Sequence, residues 1–415
     1  MSEARGHGHD HGDPAAMRGV EEHAAAVAAL IADTGTEVVP LAAARGRVLA
    51  ADLTSPVALP PFDNSAMDGY AVRAADVATT PVTLPVAEDV PAGRVDGPPL
   101  EAGTAHRIMT GAPVPDGADA VVQVEWTDGG PPGATVSIER GVEPGQSVRR
   151  AGDDVTAGQV VLRAGTVLGA AQIGLAAAVG APELTVHRRP RVLVLSTGSE
   201  LVAPGEPLRH GQIHESNGPM LAAAVEDAGG EARLLRFVPD DVEEFRTALD
   251  AALAEPTDLL ITSGGVSAGA YEVVKDAFTS RGVDFTKVAM QPGMPQGAGT
   301  YDGRVAVVTL PGNPVSSLVS FEVFVRPALR RAAGHPHPDR ARVRARVAED
   351  LRSPAGRRQF RRGRLDAVAG TVAPVGGAGS HLLAALAQAD CLLVVGEDVT
   401  EVAAGSEVEV WLLES

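Results

Sequence analysis

The chain has 415 residues, more than one hydrophobic core normally organises, so roughly two to four domains are expected. A formal net charge of −18 excludes a general nucleic-acid binder, which needs a basic footprint. No uninterrupted apolar run reaches the ~18 residues of a membrane-spanning helix, so no membrane role is expected.

Hydrophobic residues make up 45% and aromatic residues only 3%, so the cores are expected to be built from Val, Leu and Ala. The N-terminus lacks the basic-then-apolar order of a signal peptide. The single cysteine, Cys391, leaves no intrachain disulfide, and a cytoplasmic location is expected.

In chain order, residues 1–13 place His7, His9 and His11 among Gly and Asp. They read as a disordered tail, with metal capture as the alternative. From Pro14 to Ala32 the apolar spacing (Val20, Val27, Leu30, Ile31) predicts a helix. Residues 36–187 read mostly as short strands separated by Gly/Pro clusters, among them VTLPVAEDV, ADAVVQVEW and ATVSIER, with a short helix over GAAQIGLAAAVG. Within this region PFDNSAMDGYAV (Pro61 to Val72) packs Asp63, Asn64, Ser65, Asp68 and Tyr70 into one short stretch. Polar groups this dense either cap a turn or reach a ligand.

At Arg191 the texture changes. RVLVLS, EARLLRFV, DLLITS and RVAVVTL read as strands, and helical stretches separate them. This alternation predicts a parallel, doubly wound sheet. After about His335 the chain reverts to strand-like pieces that close a small β-domain.

Ligands of such a sheet bind beyond the carboxyl ends of its strands. Three of these strands end in polar Gly- or Pro-rich turns: Ser196-Thr197-Gly198-Ser199-Glu200, Ser263-Gly264-Gly265-Val266-Ser267 and Pro311-Gly312-Asn313-Pro314-Val315-Ser316. Glycine lets backbone approach a phosphate, and exposed N–H groups and hydroxyls supply donors. Three such turns on one edge point to an extended anionic ligand. Glu200, Asp240 and Glu272 follow the strands closely. Carboxylates beside a phosphate site repel the ligand unless a cation such as Mg²⁺ bridges them; helix capping is the structural alternative. A basic run, Arg357-Arg358-Gln359-Phe360-Arg361-Arg362-Gly363-Arg364, reads either as a solvated strand face or as an anion or partner contact. His381 reads as a structural polar group, with metal ligation as the alternative.

PFDNSAMDGYAV, RIMTGAPVP, STGSEL, GQIHESN, SGGVS, PGNPVS and GSHLLAALAQADCLLVV occur in that order. Together they resemble the molybdopterin molybdenumtransferase family (MoeA and its gephyrin-like relatives) from about residue 14 to the end. The resemblance implies an α/β plus β multidomain fold. Its parts would be a linker domain (14–54 and 149–187), a β-rich inserted domain (55–148), a MoaB/Mog-like doubly wound molybdopterin-binding domain (188–335) and a C-terminal small β-barrel (336–415). It implies insertion of molybdate into adenylylated molybdopterin, with Mg²⁺-dependent release of AMP, in a homodimer. A molybdopterin adenylyltransferase would act upstream and molybdoenzyme maturation factors downstream.

Carried over by motif, catalytic positions fall on Asp63, Thr110, Glu200, Asp240 and Glu272, with the last three as metal ligands. Cofactor-binding positions fall on Ser196, Thr197, Gly198, Ser263, Gly264, Gly265, Ser267, Pro311, Gly312, Asn313, Pro314 and Ser316. One departure stands out. Where the family often has KPGKP, this chain has Gln291-Pro292-Gly293-Met294-Pro295. The change motivates the alternative of a pterin-binding paralogue with impaired or altered metal specificity (tungstate, for example) or a carrier or scaffold role.

Overall fold

The computed structural model describes residues 17–94, 96–198, 200–237, 242–264 and 272–413, with the side chains of 236–237, 242, 272–274 and 276 outside that description. The predicted tail with His7, His9 and His11 therefore lies outside the described residues, as do Asp240, Gly265 and Ser267. Two compact units emerge: the described residues of 17–37, 46–50 and 186–413 form one, and those of 38–45 and 51–185 the other.

The predicted N-terminal helix is α1, Val20–Leu30. It belongs to the larger unit, and its buried residues Val20, His23 and Val27 recur at helical spacing.

The smaller unit is β-rich, as its short strand-like runs between Gly/Pro clusters predict. It contains β1 (Gly69–Val72), β2 (Val82–Val90), β3 (Ala105–Ile108), β4 (Ala120–Gln123), β5 (Thr135–Ile138) and helix α2 (Ala170–Ala178). The five strands form one sheet in the order β4-β1-β3-β2-β5. Tyr70, Val72, Leu84, Val122, Val136 and Ile138 bury its core. The Tyr70 hydroxyl is satisfied by donating to the Gly130 carbonyl at 2.7 Å, as a buried phenol must be.

In the larger unit β6 (Arg191–Thr197), α3 (Asn217–Asp227), β7 (Glu231–Phe237), α4 (Val242–Ala252), β8 (Leu259–Ser263), α5 (Glu272–Thr279), β9 (Val283–Lys287), β10 (Pro295–Tyr301) and β11 (Val305–Leu310) follow one another. The sheet order is β7-β6-β8-β11-β10-β9. The first four of these strands are parallel, as the βα alternation predicts. The other two are antiparallel, β10 on β11 and β9 on β10, so the sheet is mixed. The central strands are buried on both faces, by one cluster that includes Val192, Val194, Leu259 and Ile261 and another that includes Leu193, Leu195, Leu260 and Val307. That is why they read as continuous apolar runs.

Helix α6 (Pro314–Ser320), a π-helical turn (Phe321–Val325) and α7 (Arg326–Ala332) follow β11. The last segment contains β12 (Arg342–Val347), β13 (Arg358–Asp366), β14 (Thr371–Pro374), β15 (Cys391–Val395) and β16 (Glu407–Leu412). These close into a five-stranded barrel in the cyclic order β13-β14-β12-β16-β15. Closure leaves none of the five with an unpaired edge. The short pair Met290–Gln291 adds in parallel to β13, with Gln291 opposite Gln359.

Candidate functional site

Backbone register brings the predicted turns together. Ser196 at the end of β6 is opposite Ser263 at the end of β8, and Ser263 is opposite Leu310 at the end of β11. The three strands therefore stop in one row, and their turns open into one cavity of about 940 Å³ within the larger unit. Ser196, Thr197, Glu200, Ser263, Gly264, Pro311, Gly312, Asn313, Pro314 and Ser316 line it.

Gly264 sits at φ +98, a conformation that glycine adopts without penalty. Gly198 is absent from the wall, and a Cβ there would come within 2.7 Å of the Glu200 carboxylate. Glu272 is the first residue of α5. Asp63 and Thr110 lie in the smaller unit. Asp63 accepts the Ala151 N–H at 2.8 Å and the Arg150 guanidinium at 2.5 Å. Those two contacts hold its carboxyl below the ordinary range. Thr110 donates its N–H and hydroxyl to Asp68, at 2.6 and 2.8 Å.

Several wall residues escaped the sequence reading. Glu215 is 3% exposed. It accepts the Gly218 N–H at 2.6 Å and the Ser196 hydroxyl at 3.1 Å. It thereby caps α3, where a negative charge is favourable, and fixes Ser196. Asn217 donates to the Ser263 hydroxyl and the Gly312 carbonyl, both at 2.6 Å, tying two of the turns to the start of α3. Glu215 and Asn217 fall inside GQIHESN, so the motif marked the segment but not the function of its members. Thr197 is 7% exposed, and its hydroxyl is buried without a partner. It is a donor in reserve on the cavity wall.

The opposite wall comes from the barrel segment. Asn313 donates to the Ser380 hydroxyl at 2.9 Å, and His381 lines the cavity. The basic run is only in part a solvated face: Arg364 is exposed, but other members are engaged within the protein. Arg362, 4% exposed, donates to the carbonyls of Gly377 and Gly379 and so braces the turn that carries Ser380 and His381. Arg358 is ion-paired with Glu21 and Glu397. The wall accordingly offers neutral donors: no Lys or Arg is among its described lining residues.

Among the described residues no group of three His, Cys, Asp or Glu is gathered to hold a metal. Glu200 and Glu215 are the carboxylates on the described wall. A second cavity, about 600 Å³, lies between α1 and the barrel. Its Arg340 and Arg358 are already paired with Glu322 and with Glu21 and Glu397.

A mixed α/β sheet whose strand-end turns open into one polar cavity, followed by a small closed barrel, places the chain in the class of multidomain α/β proteins with a site at the carboxyl ends of parallel strands. The comparisons are specific within it. Residues 18–180 match the MoeA N-terminal region (domain I and II), 193–331 a probable molybdopterin binding domain, and 344–413 the MoeA C-terminal region (domain IV). Molybdopterin molybdenumtransferase 2 of Mycobacterium tuberculosis is 56% identical over 406 residues, spanning 95% of this chain and 99% of that protein. Molybdopterin molybdenumtransferase 1 of the same organism is 40% identical over 426 residues, 96% of this chain and 99% of that one. The crystal structure of the molybdopterin biosynthesis MoeA protein from Pyrococcus horikoshii has a TM-score of 0.80 at 33% identity, covering 96% of this chain and all of that one. The chain belongs to the MoeA family of molybdopterin molybdenumtransferases.

Proposed function

We propose that this protein inserts molybdate into adenylylated molybdopterin, releasing AMP in a Mg²⁺-dependent step and delivering molybdenum cofactor. The observation that carries the reading is the cavity at the ends of three neighbouring parallel strands, walled by the hydroxyls of Thr197, Ser263 and Ser316 and the amide of Asn313, while Ser196 and Asn217 direct their donors to Glu215, Ser263 and Gly312 and so fix the turns. Such neutral donors suit phosphate oxygens and a polar pterin ring.

A magnesium ion takes one or two carboxylates and completes its shell with phosphate oxygens and water. Glu200 fits that donor set, and Asp240 and Glu272 are assigned to it with Glu200. When bound, the ion neutralises charge that develops as the phosphoanhydride breaks. The chain's own task is to hold and orient. Thr197 and Ser263 meet the ligand's oxygens, and Glu215 keeps Ser196 turned and α3 in place. Asp63 and Thr110 are assigned to the same reaction, contributed by a second copy in a homodimer.

The test is AMP release from adenylylated molybdopterin with Mg²⁺, with and without molybdate. Release that requires molybdate is expected, and Glu200→Ala should lose at least about tenfold in rate, the weight of one metal-mediated contact. Tight pterin binding with no release would instead favour a pterin carrier, a reading motivated by the uncharged Gln291 and Met294.

A further inference from the structure

Gln291 lines the cavity but is not free to turn. Its Oε1 accepts a hydrogen bond from Gln359 Nε2 at 2.9 Å. Gln359 lies on β13, is 2% exposed, and its own Oε1 is buried without a partner. The two residues are held opposite each other by the parallel pairing of Met290–Gln291 with Arg358–Gln359. The turn after Gln291 is pinned as well: Gln296, 1% exposed, donates to the Gly293 carbonyl and the Ser320 hydroxyl, both at 2.6 Å. A carboxamide whose oxygen is engaged from behind presents its N–H₂ on the other side. Among the described residues that nitrogen has no protein acceptor, and the wall around it carries no Lys or Arg.

We propose that Gln359 is a positioning residue that sets the polarity of Gln291, so that the Gln291 amide donates a hydrogen bond to a tetrahedral oxyanion in the cavity. The proposal rests on the transferase reading and adds to it how this wall recognises the anion: by an oriented neutral dipole in place of a point charge. A dipole grips an anion less strongly than an ammonium does, but salt screens it far less. The oxyanion has two possible sources, free molybdate or the phosphate of the adenylylated pterin.

Two near-isosteric substitutions separate orientation from packing. Gln359→Met removes the hydrogen bond and leaves Gln291 free to rotate. Gln359→Glu, when ionised, can only accept, so Gln291 must turn its N–H₂ inward and its oxygen toward the anion. The expected result is a rise in KM for one oxyanion source in Gln359→Met, a further rise of about tenfold in Gln359→Glu, and kcat little changed, since one hydrogen bond to an anion is worth about a decade in affinity. The Gln359→Glu defect should ease between pH 8.5 and 6, because a buried carboxyl with a raised pKa can take a proton and donate again. If KM for molybdate moves, the anion is free molybdate; if KM for the adenylylated pterin moves instead, it is the nucleotide phosphate.

Equal behaviour of the two variants, or no pH dependence of the difference, would overturn the proposal. Should wild-type protein show no transferase activity, equilibrium dialysis with labelled molybdate and with phosphate reads the same order of affinities directly. The same order there would support the amide pair while the transferase reading fell, and equal affinities would remove the amide pair too.

Discussion

His23 sits on α1 with 0% exposure, and neither ring nitrogen has a hydrogen-bond partner. Its ring meets Phe324 edge-on, with centroids 4.7 Å apart. Burial, reinforced by the nearby Arg18 charge, lowers its pKa from 6.5 to about 4. The neutral ring is thus favoured in the folded state, while the unfolded chain takes up a proton at the ordinary value. Stability carried by neutral His23 is therefore complete above pH 6.5 and is lost as pH falls from there through about 4. The shift spans about 2.5 pH units, so the loss is about 3 kcal/mol at pH 4. His23→Leu removes this titration and also an orphaned polar group, at the expense of the ring contact with Phe324. The variant should be at least as stable as wild type at pH 7.5, by roughly 0–1 kcal/mol. Its advantage should then widen to about 3–4 kcal/mol near pH 4. Urea unfolding of both proteins at half-unit steps from pH 7.5 to 4 measures the difference, in which distant titrating groups cancel. A gap that stays constant across this range would refute the burial argument.

Two further predictions concern polar contacts. Arg188 grips Asp258 with two hydrogen bonds of 2.9 Å, and the Arg191 N–H adds a third at 2.7 Å. Burial alone would raise the Asp258 carboxyl, but these contacts bring it below its ordinary value. Its stabilisation is therefore present above pH ~4 and lost as pH falls through the lowered folded value. Asp258→Asn should cost about 1–3 kcal/mol at pH 7 after allowance for partial exposure, and acid titration of both proteins should show the gap closing below pH ~4. For Glu215→Ala, loss of the α3 cap and of the Ser196 contact should cost about 2 kcal/mol and raise the Kd for the pterin substrate several-fold, while Glu215→Gln retains most of both. Calorimetric melting and substrate titration would check this.

The strands of the larger unit were legible where burial on both faces made them uniformly apolar, as in Val192–Leu195 and Leu259–Ile261. Strand β10, Pro-Gln-Gly-Ala-Gly-Thr-Tyr, was not. Its glycines serve close packing rather than turning: a Cβ on Gly299 would come within 2.2 Å of the Gly282 carbonyl oxygen. Composition suggests a loop there, and only the neighbouring strand explains the sequence. The same limit applies to the site. Turns at strand ends announce themselves by Gly, Pro, Ser and Thr, so Ser196, Ser263 and Asn313 could be picked out beforehand. Gln359 could not, because its partner lies 68 positions away and nothing local marks a glutamine within an arginine run as anything but surface.

Helix α1 has a consequence for how the chain comes to be folded. Arg18 bridges to Val288, the buried face of α1 belongs to the cluster containing Met290, Phe321 and Phe324, and Glu21 is bound by Arg358, 337 positions later. During synthesis the helix is made long before the segments that form its docking surface. For most of translation it must remain soluble without a partner. The composition of VEEHAAAVAAL suits that wait: paired acids at its start, alanine through its length and few large apolar groups give a ribosome-bound nascent chain little surface with which to misassociate. Shortening the chain from its far end, even by the barrel alone, would leave the first helix without part of its anchorage.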